Sequence, residues 1–192
     1  MKKILFVILL LLFNLNFCCA ENVDGDYRKS ILNKGYPYNV SGFFYAIQKN
    51  DKEIVEMFLL AGMNPDITLN GSPAPMHALF VGKIEMLEIL LKHGADPETR
   101  VPALWVAIKP QNLLSFAIKR KNEEAVKSLI YYNVDVNKCF CGKSPLNYAL
   151  KTGQLSIVEI LLKAGAKPDD KTFKMIEKSK SEKIKKMFEE FN

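Results

Sequence analysis

Residues 147 to 165, NYALKTGQLSIVEILLKAG, decide how the rest of this 192-residue chain is read. Ile157, Val158, Leu161 and Leu162 fall at i, i+1, i+4 and i+5, which gathers them on one apolar helix face. Gly165 closes the stretch where a chain turns left-handed past a helix C-terminus. Gly153 marks a tight turn before that helix, and Ala149 supplies a small side chain where two helices approach closely. A helix pair of this size cannot bury its apolar face alone, so it predicts neighbours of the same kind stacked against it.

Three earlier stretches align with it without gaps: FYAIQKNDKEIVEMFLLAG (44 to 62), MHALFVGKIEMLEILLKHG (76 to 94) and SFAIKRKNEEAVKSLIYYN (115 to 133). The third place is always alanine: Ala46, Ala78, Ala117 and Ala149. The last is Gly62, Gly94, Asn133 and Gly165, asparagine being the usual substitute for glycine in left-handed backbone. The turns fall near Asn50, Gly82, Lys121 and Gly153. End markers lie 32 residues apart from Gly62 to Gly94 and again from Asn133 to Gly165. Repeats with such a period mean a solenoid.

These residues resemble the ankyrin repeat. Gly142-Lys-Ser-Pro-Leu-Asn147 is similar to the family's Gly-x-Thr-Pro-Leu-His opening, and Ile157-Val-Glu-Ile-Leu-Leu-Lys-Ala-Gly-Ala166 to its second helix and exit. Ala95-Asp96-Pro97 after Gly94 is another family feature. In the first and third copies Ser41-Gly-Phe-Phe44 and Asn112-Leu-Leu-Ser115 replace the opening. The resemblance covers about residues 39 to 170. It implies an all-α repeat solenoid of stacked helix-turn-helix units joined by short hairpin-like loops. The expected repeats are 39–68, 71–100, 110–139 and 142–171, with an inserted apolar loop at 101–111. A capping helix is expected within 21–38 and a capping pair within 172–192, where Phe173, Ile176, Ile184 and Phe188 would face the stack. Seven lysines between 171 and 186 read as a solvated outer face, or as attraction to an anionic membrane surface.

The N-terminus follows a different pattern. Lys2 and Lys3 precede an apolar run to Phe17 and small residues follow, as in a signal peptide over 1–20. The run is shorter than the roughly 17 to 25 residues a spanning helix needs. Cleavage between Ala20 and Glu21 would give a secreted or periplasmic protein. Acylation at Cys18 or Cys19 would give a lipid-anchored one, and an uncleaved anchor is the third reading. Loss of residues 1–20 lowers the formal charge from +6 to +4. That mild basicity, without a reading motif, does not point to nucleic acid.

No glycine-rich phosphate loop, Gly-x-Ser-x-Gly elbow or His-Glu-x-x-His helix occurs. The only histidines are His77 and His93, too few for a Cys/His zinc site of standard spacing. No cofactor or metal is expected, and an enzyme on this frame is the weakest reading.

Ankyrin proteins generally act as binding modules through the concave surface of their first helices and their loop tips. The place before the small alanine, turned toward that groove, holds Tyr45, His77, Phe116 and Tyr148. Three places on come Gln48, Phe80, Lys119 and Lys151, then Lys49, Val81, Arg120 and Thr152. Rings edged by cations are the composition of a contact hot spot and suit an acidic or mixed protein partner, with the chain itself a monomer. The alternative is that the rings simply pack on each other.

Two loops add candidates. Gly94 to Asn133 spans 39 residues, seven more than its neighbours, and carries Trp105 in the run Val101 to Ile108. That run either binds a partner, covers itself, or opens the third repeat's first helix. In the tip between the third and fourth repeats, Cys139-Phe140-Cys141 reads as a turn whose Phe140 touches the partner. A labile disulfide between Cys139 and Cys141 would close a small strained ring, and metal binding would need further ligands that this loop lacks.

Overall fold

The computed structural model describes residues 25–101, 111–140, 142–179 and 181–190. The expected cleavage site at Ala20 and Glu21, together with Trp105 and Cys141, lies outside the described residues.

A helix α1 over residues 25–33 leads into four helix pairs. These are α2 (Val40–Lys49) with α3 (Lys52–Leu60), α4 (Ala74–Phe80) with α5 (Ile84–Lys92), α6 (Leu113–Lys119) with α7 (Glu123–Tyr131), and α8 (Pro145–Lys151) with α9 (Leu155–Lys163). A last pair, α10 (Asp170–Lys178) and α11 (Glu182–Glu190), closes the stack. Between pairs run two-residue strands: β1 (Thr68–Leu69) pairs with β2 (Ser72–Pro73), and β3 (Arg100–Val101) with β4 (Gln111–Asn112), both antiparallel. A single bridge, Phe140 to Lys143, stands in the corresponding place before α8.

Backbone conformation accounts for the pairing. Asn50, Gly82, Lys121 and Gly153 have φ of 61°, 75°, 58° and 69°, so each first helix ends in a left-handed residue that sends the chain back along itself. Gly62, Gly94, Asn133 and Gly165, with φ of 86°, 90°, 62° and 84°, do the same after each second helix. Helix starts are equally local. Asn39, Asp51, Asn112, Asn122 and Ser144 accept bonds from backbone N–H groups of the turn that follows.

First helices α2, α4, α6, α8 and α10 pack side by side as one layer, and α3, α5, α7 and α9 as a second. The core lies between them. The four alanines are fully buried, as are Phe43, Phe58, Leu87, Leu90, Leu129 and Leu161. At the N-terminal end Tyr38 stacks on Phe58 at 5.4 Å, donates its hydroxyl to the Ala61 carbonyl at 2.5 Å, and lies under Arg28 at 4.9 Å. Gly42 is required there, because a Cβ on it would overlap the Pro37 carbonyl oxygen.

The third first helix opens at Leu113, capped by Asn112. The alternative opening over Val101 to Ile108 falls, apart from Val101 itself, outside the described residues. One expectation needs correction. At the C-terminus Phe188 is buried and Ile176 and Ile184 pack against the core, but Phe173 is 45% exposed. Its neighbour Thr172 takes the inward place. Thr172 fits because Asp169, the α10 cap, makes a reciprocal capping box with it. Asn147 of α8 then donates to both Asp169 carboxylate oxygens at 2.8 and 2.9 Å. These donors, Asn147 first, hold the Asp169 carboxyl down at about 2.

Candidate functional site

The side of the first helices turned away from the second layer carries the expected ring positions, each five residues before its left-handed turn residue. Their environments differ. Tyr45 is 50% exposed and lies 5.8 Å from the ring of Tyr36, which sequence reading passed over. His77 and Tyr148 are half-buried. Phe116 is only 6% exposed, since Phe80 stacks on it at 6.3 Å and the Arg120 guanidinium covers it at 5.3 Å. The more open ring of this pair is Phe80 on α4, at 41% exposure. Arg120 touches both rings of this pair. The guanidinium lies 5.5 Å from the Phe80 ring and donates to the Phe80 carbonyl at 3.1 Å.

Packing and presentation thus coexist on this face. His77 leans on Phe44 at 5.0 Å, and burial holds its imidazole below the ordinary histidine range. At neutral pH it is an aromatic contact, not a further cation. Gln48 and Lys49 are exposed, with the Lys49 ammonium 5.4 Å over the Tyr45 ring. Such cation–ring contacts stabilise by about 0.5–1 kcal/mol at exposed sites and hold the charge at the rim.

Charge is sorted between the two layers. Helices α2, α4, α6 and α8 contain no aspartate or glutamate, while Lys49, Lys119, Arg120, Lys121 and Lys151 lie in or just after them. The second layer carries Glu53, Glu56, Glu85, Glu88, Glu123, Glu124 and Glu159, against Lys52, Lys92, Lys127 and Lys163. Its exposed aromatic is Tyr131, at 79%. A shallow hollow of about 450 Å³ beside it is lined by Glu88, Glu124, Lys127, Ser128 and Tyr132.

The loop tips form a ladder that the sequence reading did not identify. Two residues after the left-handed exit, Asn64, Asp96 and Asp135 each accept from the backbone N–H two residues on, at 2.8–2.9 Å. Four residues after it, Asp66, Glu98 and Asn137 accept from the next repeat, at Asp96 N–H (3.0 Å), Asp135 N–H (2.7 Å) and Lys167 N–H (2.7 Å). Spacing from the exit residue was the signal: an acid or amide recurs at plus two and plus four. Tip carboxylates are therefore occupied with structure.

Phe140 sits half-buried at its tip with the Arg100 guanidinium 5.9 Å from its ring. Beside it Cys139 is a free, exposed thiol. Among the described residues no group of three or more His, Cys, Asp or Glu is placed to hold a metal ion. The first-helix face carries exposed rings at Tyr45 and Phe80 with exposed cations beside them.

Residues 102–172 match a family model described as ankyrin repeats in three copies. Among similar proteins, an ankyrin repeat protein of Fowlpox virus (strain NVSL) is 26% identical over 131 residues, 68% of this chain and 29% of that protein. One of Rickettsia felis is 31% identical over 134 residues, 67% of this chain and 42% of that protein. Myotrophin of Xenopus tropicalis is 42% identical over 55 residues, 28% of this chain and 47% of that protein. The chain thus spans less than half the length of each of these relatives, which point to repeat proteins and to no enzyme family. The matches agree with the stacked helix pairs and their hairpin tips, and the chain is built of ankyrin repeats forming an all-α solenoid.

Proposed function

We propose that this chain is an exported protein-interaction module, an adaptor or inhibitor that captures one protein partner on the face of its first helices. Ankyrin repeats generally mediate protein–protein contacts, which gives the class. One observation of this chain carries the rest: first helices α2, α4, α6 and α8 hold no acid, while exposed rings stand at Tyr45 and Phe80 and cations at Lys49, Lys119, Arg120 and Lys151. Nothing in the repeat packing demands that sorting, because both layers face water on their outer side. A partner with an acidic or mixed surface is the chemistry that complements it. Export rests on the N-terminal apolar run after Lys2 and Lys3, with Ala20 and Glu21 flanking the cleavage point.

The test pairs capture with folding. Tagged protein bearing Tyr45→Ala and Phe80→Ala, both at exposed positions, should keep its thermal midpoint and lose the partner that wild type recovers. Retained capture by the folded variant would sink the groove reading.

A second reading, a lipid-anchored envelope scaffold, is favoured by Cys18 and Cys19 at the end of the apolar run. Partitioning of the mature protein into detergent separates it from the soluble form. Surface attraction through the C-terminal lysines has less support, since α10 and α11 also carry Asp170, Glu177, Glu182, Glu189 and Glu190.

A further inference from the structure

The row of rings continues past the fourth repeat. Three first helices place a ring four residues after the N-cap: His77 after Pro73, Phe116 after Asn112, Tyr148 after Ser144. Asp169 caps α10, and four residues after it stands Phe173. Helix α10 packs beside α8 as the next member of the layer, so by this spacing Phe173 matches the place of Tyr148 and would stand fifth in the row. It is also among the exposed large apolar side chains of the described residues. A terminal repeat in a solenoid ordinarily turns polar residues outward, because its job is to end the stack in water. A phenylalanine in register with the groove and left open is the opposite choice.

We propose that the concave site extends over the C-terminal cap to Phe173 and takes a single linear acidic segment of a partner protein, which anchors an apolar side chain on that ring. The proposal rests on the groove reading above and sharpens it. Length supports one continuous segment. Helices packed about 8–10 Å apart put the first and fifth ring positions roughly 35 Å from each other, the reach of about eleven residues of extended chain. Charge supports acidity along most of that path, where Lys49, Lys119, Arg120 and Lys151 edge the row and α2, α4, α6 and α8 hold no acid. The cationic run stops at the cap. Asp170 and Glu177 lie one turn before and after Phe173, and Lys171, Lys174 and Lys178 share the helix, so acids and bases are mixed there and leave the ring as the contact. The segment is therefore acidic over the repeats and apolar where it reaches α10.

Selection from a displayed library of random 20-residue peptides on the intact protein tests this, followed by fluorescence anisotropy of the enriched peptide. The expected result is a peptide rich in Asp and Glu with an apolar residue toward one end. Its affinity should fall about tenfold or more with Phe173→Ala and with Tyr45→Ala, the size of effect seen at aromatic hot spots. Both side chains are exposed, and unchanged thermal midpoints would confirm that the variants fold. An acidic peptide weakened by Tyr45→Ala but not by Phe173→Ala would overturn the extension and leave the groove reading standing. Basic or neutral peptides, or no enrichment, would overturn the acidic segment, while partner capture that still depended on Tyr45 would again leave the groove intact. Peptides insensitive to both variants yet weakened by Tyr131→Ala, on the second layer, would defeat both.

Discussion

The two helix layers come from the same repeats and share one core, yet their outer sides differ in nearly every respect that matters to a partner. Second helices α3, α5, α7 and α9 are all nine residues long and acid-rich, with Lys52, Lys127 and Lys163 interspersed. First helices α4, α6 and α8 are seven residues long and carry no acid. Second-layer charges partly pair among themselves, as Lys52 with Glu85 at 2.7 Å and Lys163 with Glu159 at 2.6 Å. First-layer cations lie against rings instead, as Lys49 and Arg120 do. The comparison separates what the solenoid needs from what this solenoid adds. Alanines, left-handed turns and apolar stripes are needed by both layers; the sign of charge and the open rings are not.

Removing what the layers share should have the largest effect. Phe58 is fully buried against Phe43 at 5.3 Å and Tyr38, so Phe58→Ala should cost about 3–5 kcal/mol in denaturant unfolding. Tyr131→Ala, on the open second-layer surface, should stay within about 0.5 kcal/mol.

A smaller loss is expected where the first layer alone is tightly built. Gly42→Ala should destabilise by about 1–3 kcal/mol because the Pro37 carbonyl occupies the space its methyl needs. The shift should appear in denaturant midpoints, and an undisturbed midpoint would show that the segment before α2 is free to move.

The cap of α10 gives the pH dependence. The Asp169 carboxyl sits at about 2 in the folded chain against an ordinary 3.8. Since the folded state prefers the ionised form, its contribution is complete above about pH 4 and is lost as pH falls toward 2. Asp169→Ala should cost about 1 kcal/mol near neutrality, the usual worth of an N-cap. Thermal midpoints of wild type and variant should then converge between pH 4 and 2. The smallest effect belongs to the second-layer ion pairs: Glu159→Gln, at a half-exposed surface pair with Lys163, should leave the melting curve unchanged.

Much of this architecture is readable from sequence because it depends on local backbone need. Lys121 has no chemistry that announces φ of 58°, yet alignment with Gly82 and Gly153 places it at the turn. Sequence left open whether Phe116 packs or presents itself, and placed Phe173 inward, for a common reason. Periodicity tells which way a residue points, but not what a neighbouring side chain will cover. Arg120 folds over Phe116 from one turn away, and Phe173 is left 45% exposed while Thr172, tied to Asn147 and Asp169, takes the inward place. The tip ladder escaped notice because its acids and amides look like ordinary loop polarity until the exit residue is used as origin.

The most direct test of the central claim compares charge reversal on the two layers in otherwise identical protein. Lys119→Glu with Arg120→Glu on the first layer should abolish capture of the partner recovered by wild type. Glu88→Lys with Glu124→Lys on the second should leave capture unchanged, with both variants melting cooperatively. Capture that survived the first pair and failed with the second would place the binding surface on the acidic layer and contradict the account.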